Sequence, residues 1–99
     1  MNISTVKSFK KQLYQIAAEY GICKIFVFGS TARDASTETS DIDLLIEMNE
    51  GASAYGVGGF QYEAQKLLGV EIDVIPTFVL PHIKDQQFVQ AIQSEAVTL

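Results

Sequence analysis

The chain has 99 residues, 47% of them hydrophobic, and 12 acidic against 7 basic residues give a formal charge of −5. That length suits one domain over residues 1–99, burying about 60–65% of its unfolded surface, and that composition supports a real core, with no low-complexity segment to suggest disorder. The acidic balance counts against direct nucleic-acid binding, which draws on phosphate neutralisation. No apolar run approaches the ~18 residues of a membrane span and MNISTVKSFKK lacks a signal-peptide core, so a soluble cytoplasmic protein away from membranes is expected.

In chain order, Ser4 to Tyr20 reads as an amphipathic helix, with Val6, Phe9, Leu13, Ile16, Ala17 and Tyr20 at spacings of three and four. Ser4 or Thr5 is expected to cap its start and Gly21 to close it. Cys23 is the sole cysteine, so no internal disulfide is possible. Its place beside an apolar strand predicts a buried structural thiol. Ile25 to Phe28 is that strand, bounded by Gly29 and expected to be buried on both faces. Ser30 to Ala35 predicts one or two helical turns, Ala35 to Ser40 a polar loop, and Asp41 to Met48 a second strand. Along this strand Ile42, Leu44 and Ile46 share one side, while Asp41, Asp43 and Leu45 share the other.

Glu50 to Gly59, EGASAYGVGG, reads as a flexible lead into a helix carrying Phe60, Ala64, Leu67 and Leu68 and closed by Gly69. Val70 to Ile75 is the third strand, with Glu71 and Asp73 on the face opposite Val70, Ile72 and Val74, and Pro76 ends it. Glu71 is expected to be exposed. After a turn at Pro81, a last helix from Asp85 to about Ser94 is expected to pack Phe88, Val89 and Ile92. His82 has no second His or accompanying Cys cluster and reads as a surface residue. Ala96 to Leu99 predicts a short edge strand or a docked tail.

The chemistry concentrates in KIFVFGSTARDASTETSDIDLLIEM, residues 24–48, where ten residues separate Gly29-Ser30 from Asp41-Ile42-Asp43. Two carboxylates on one strand face repel; at ~5 Å and an effective dielectric of 20 the cost is about 3 kcal/mol. A divalent cation removes that cost, and Mg²⁺ held by a few carboxylates plus substrate phosphates is a common arrangement. Ser30 opens a helix whose free N–H groups and dipole favour phosphate, and Gly29 permits close backbone approach. A phosphate cradle beside a cation pair points to nucleotide chemistry.

At these residues the chain resembles the polymerase-β-type nucleotidyltransferases, and GSTAR, SDIDLLIE and LLGVEIDVI resemble the minimal nucleotidyltransferases among them. The resemblance covers roughly Phe9 to Leu99. It implies a small α/β fold: a mixed sheet of three or four strands, helices over one face, and Asp41, Asp43 and Asp73 on the open face. It implies Asp73 as the third carboxylate, two Mg²⁺ ions shared among the three aspartates, and ATP as donor. In that scheme Asp73 also takes the acceptor proton, Gly29 and Ser30 hold phosphate, and Arg33 neutralises phosphate or positions the acceptor. An alternative for Arg33 is an ion pair with Asp34 or Glu38. The family commonly has glycine after the arginine, where this chain has Asp34. The resemblance further implies an antitoxin whose partner is a HEPN-domain ribonuclease toxin, modified with adenylate on a tyrosine. Two other readings stand beside it: a steric antitoxin without catalysis, and a nucleotidyltransferase acting on a small molecule.

Overall fold

A computed structural model describes residues 1–33, 35 and 41–99. The first helical stretch is capped by Asn2 rather than Ser4 or Thr5: its Oδ1 accepts from the Thr5 amide at 2.8 Å and the Thr5 hydroxyl at 2.9 Å. The stretch is also two helices, α1 (Ile3–Ser8) and α2 (Lys10–Glu19), joined at Phe9. The Ser8 hydroxyl donates to the Thr5 carbonyl, and the Phe9 amide donates three residues back to Val6. Such side-chain competition for helix carbonyls favours a bend.

Strand β1 (Ile22–Phe28) runs antiparallel to β2 (Ile42–Met48), and β3 (Ile72–Pro76) lies parallel on the far side of β2. The tail supplies the edge strand β4 (Val97–Thr98), antiparallel to β1, giving a mixed sheet in the order β3-β2-β1-β4. β1 begins three residues earlier than the apolar run predicts, and its register with β2 shifts between Ile22 and Lys24. That irregularity turns Cys23 outward, so the thiol is exposed near the Glu47 carbonyl, at 3.4 Å, instead of buried.

One sheet face carries the main core: Ile25, Val27, Ile42, Leu44, Ile46 and Ile72 pack with Val6, Leu13 and Ala17 of the first two helices. Phe60 and Ala64 join them from α4 (Tyr55–Leu68). The predicted flexible lead is shorter than its glycines suggest, because α4 begins at Tyr55 and absorbs three of them. Two are required by packing. A Cβ at Gly56 would lie 2.4 Å from the Tyr20 carbonyl, and one at Gly59 2.3 Å from the Tyr20 ring.

The opposite face is not left open. Phe28, Leu45 and Ile92 form a second, smaller cluster there, with Phe26, Ile75, Leu80 and Ala96 around it. Ile92 comes from α5 (Gln86–Glu95), capped by Asp85, and Leu80 from a 3-10 helix over Thr77–His82 where the sequence predicts only a turn. Helices therefore lie on both faces, and α5 covers part of the face that carries the aspartates. Among the described residues, no helix is long and apolar enough to cross a membrane.

Thr31, in the short helix α3 (Gly29–Ala32), is fully buried and its hydroxyl has no hydrogen-bond partner among the described residues. Leaving such a group unpaired costs about 1–3 kcal/mol. Thr31→Val keeps the shape and removes the unpaired hydroxyl. It is expected to raise the unfolding free energy by about 1 kcal/mol, read from urea melts with an unchanged m-value.

Candidate active site

The parallel register sets Asp43 of β2 directly beside Asp73 of β3, one row in from the strand ends. Both side chains leave the sheet on the face away from the main core, as alternation requires once Ile42 and Ile72 point inward. Across β2, Asp43 also pairs with Phe28, the last residue of β1, so the turn into α3 arrives over the carboxylate. Gly29 makes that turn with φ 72, a left-handed conformation that favours glycine. A Cβ there would stand 2.3 Å from Asp43 Oδ2. Glycine thus supplies both the bend and the room for the carboxylate.

Gly29, Ser30, Arg33, Asp43 and Asp73 line a cavity of about 700 Å³. Phe28, Val74, Ile75, Phe88 and Ile92 form its apolar wall. Phe88, expected in the core, is 42% exposed on this wall, because α5 buries Val89 and Ile92 and leaves Phe88 beside the opening. Asp41 stands apart. It precedes β2, is exposed, and is not among the residues lining the cavity. Among the described residues, no three His, Cys, Asp or Glu side chains gather closely enough to hold a metal ion by themselves.

Asp43 is held above the ordinary carboxylate range, first by burial, then by the charges of Asp73 and Asp41 and a hydrogen bond with Asp73. Arg33 pulls it the other way, and more weakly. An acid raised by carboxylate neighbours is a place where a divalent cation relieves repulsion, so Asp43 and Asp73 fit an oxygen-liganded cation that substrate phosphates complete.

Arg33 forms an ion pair, Nη1 to Glu95 Oε2 at 2.8 Å, with the last residue of α5. Asp34 and Glu38, the partners weighed from sequence, lie outside the described residues, as does the polar loop apart from Ala35. Glu95 also lines the cavity. Nothing local announces it, since 62 residues separate it from Arg33. Gln61 of α4, likewise unforeseen, reaches the cavity too. The only available signal was its spacing of four from Gln65 just before β3. His82 is exposed in the 3-10 helix, and Glu71 is exposed as expected.

Comparisons with known proteins agree with this fold. A family model described as a nucleotidyltransferase domain matches residues 5–99. A Methanocaldococcus jannaschii protein provisionally named a protein adenylyltransferase is 36% identical over 93 residues, covering 93% of this chain and 97% of its own length. A solved structure provisionally assigned as a minimal nucleotidyltransferase superposes with a TM-score of 0.78 at 26% identity, covering 100% of this chain and 97% of that one. A toxin–antitoxin crystal structure with AMP-PNP shares the fold, with a TM-score of 0.68 at 13% identity over 90% of this chain and 70% of that chain.

Proposed function

The chain belongs to the nucleotidyltransferase domain family, and on that premise we propose that it is a protein adenylyltransferase serving as an antitoxin. Its substrate is a HEPN-type ribonuclease toxin, which it silences by moving AMP from ATP to a tyrosine hydroxyl. The observation that carries the reading is the Asp43–Asp73 pair set side by side under the Gly29-Ser30 turn. The name of the M. jannaschii relative supports protein as acceptor, and the toxin–antitoxin neighbour supports the class of partner.

In this reading Asp43 and Asp73 would hold Mg²⁺ together with the substrate phosphates, with Asp41 adding its negative charge from just before β2. Bound there, Mg²⁺ would neutralise triphosphate charge and lower the pKa of the attacking hydroxyl. The Gly29 and Ser30 amides and the Ser30 hydroxyl bind phosphate oxygens. Arg33 exchanges its Glu95 partner for phosphate, or keeps it and orients the acceptor. The tyrosine oxygen forms the new bond to the α-phosphorus, pyrophosphate departs with the electrons of the broken bond, and the phenolic proton passes to Asp73. The apolar wall around Phe88 and Ile92 excludes water from the reacting atoms.

Incubation with ATP, Mg²⁺ and a HEPN protein encoded beside this gene is expected to raise the partner's intact mass by one AMP less water per group. The modified partner should remain inactive as a ribonuclease after this chain is removed. A partner of unchanged mass that recovers activity on separation would establish the steric antitoxin instead. AMP transfer to an added aminoglycoside or sugar alcohol, and not to protein, would establish the small-molecule reading.

A further inference from the structure

β3 is the outer strand of the sheet, so alternate peptide groups along it face away from β2. Glu71 turns its carbonyl toward β2, where the Ile42 amide donates to it at 3.0 Å. Ile72, the next residue, has both polar groups on the outer side. Both are met by one helix. Gln61 Nε2 donates to the Ile72 carbonyl at 2.8 Å, and the Ile72 amide donates to Gln65 Oε1 at 3.1 Å. The two glutamines, four residues apart, share a face of α4. Their amide orientations are dictated, because a carbonyl only accepts and an N–H only donates.

An exposed edge strand ordinarily leaves such groups to water. Here two side chains fix the donor and the acceptor of a single residue, and that residue immediately precedes Asp73. The helix that carries them is itself anchored on its other side, where the Tyr20 hydroxyl donates to Glu63 Oε2 and Gly56 and Gly59 seat α4 on Tyr20. Gln61 also lines the cavity. We infer that Gln61 and Gln65 are positioning residues: they clamp the peptide before Asp73 and so hold its carboxylate beside that of Asp43, where the two would share a cation. The inference rests on the nucleotidyl-transfer reading, in which Asp43 and Asp73 act together.

Methionine removes the amide while keeping an unbranched chain of similar length, and glutamate at 65 keeps the acceptor. Gln61→Met and Gln65→Met are expected to lower kcat for AMP transfer ~10–100-fold with KM for ATP changed less than about twofold, the pattern of misplaced reacting groups. Gln65→Glu, still able to accept from the Ile72 amide, should stay near the native kcat. A second readout needs no turnover: titration calorimetry of Mn²⁺ with AMP-PNP present should show affinity about tenfold weaker in the methionine variants and restored in Gln65→Glu. Methionine variants that melt earlier yet keep native kcat and Mn²⁺ affinity would overturn the proposal and leave a purely structural edge cap. Failure of the native chain to bind Mn²⁺ would overturn it as well. If Gln61→Met does not fold, Gln65→Met against Gln65→Glu decides. A native chain that binds Mn²⁺ but adenylates no partner would defeat the functional reading alone, since the Mn²⁺ titrations would still decide the clamp.

Discussion

Asp43→Asn is expected to abolish AMP transfer, by about 10³-fold or more, the scale of several kcal/mol of lost charge stabilisation. The same variant should melt at a higher temperature than the native chain in metal-free neutral buffer. The sign follows from the carboxyl's raised pKa, caused first by burial and then by the Asp73 and Asp41 charges and a hydrogen bond with Asp73. Because the folded chain holds this proton more tightly than the unfolded one, Asp43 contributes stability at low pH. That contribution is present below about 3.9, the ordinary aspartate value, and is lost as pH rises through the raised value. At neutral pH the ionised carboxylate is therefore a cost that asparagine removes. Thermal melts across this window should show the gap between variant and native chain widening with pH. Added Mg²⁺ should raise the native melting temperature and leave the variant's nearly unchanged. Full transfer by the variant would eliminate Asp43 as a cation ligand.

Gly29→Ala is expected to damage both folding and catalysis. At φ 72 an alanine is strained by about 1–2 kcal/mol, and its Cβ would lie 2.3 Å from Asp43 Oδ2 and 3.2 Å from Cγ. Relieving that overlap displaces either the α3 turn or the carboxylate, at a further 1–3 kcal/mol or so. The expected loss is about 2–5 kcal/mol in denaturant melts, with transfer by the folded fraction falling ~100-fold as Asp43 leaves its place. Transfer that merely tracks the folded fraction would mean the turn yields and Asp43 does not.

The core-facing alternation of β2 and β3 was legible in the residues. Ile42, Leu44 and Ile72 alternate with Asp43 and Asp73, and a strand's period of two leaves little choice about which side meets the core. Gly29-Ser30 ahead of the aspartates was legible for a similar reason: turn chemistry and charge repulsion are local. The tail strand and the closure of α4 at Gly69 followed from equally local signals.

What the sequence left undecided depends on contacts between distant segments. The resemblance implied Asp73 as the third carboxylate, but its approach to Asp43 depended on β3 neighbouring β2, which the parallel pairing across the α4 crossover supplies. Cys23 faces outward because a register shift against β2 overrides its apolar neighbours. α5 docks on the second sheet face through Ile92, which brings Glu95 to Arg33 and leaves Phe88 on the cavity wall. Gln61 and Gln65 show only a spacing of four in the sequence. Their bonds to Ile72 exist because α4 lies along the free edge of β3. The chain by itself determined which residues carry the charge and which bury. Tertiary packing decided which charges meet, because electrostatic and hydrogen-bond geometry depends on distances that only the folded crossover sets.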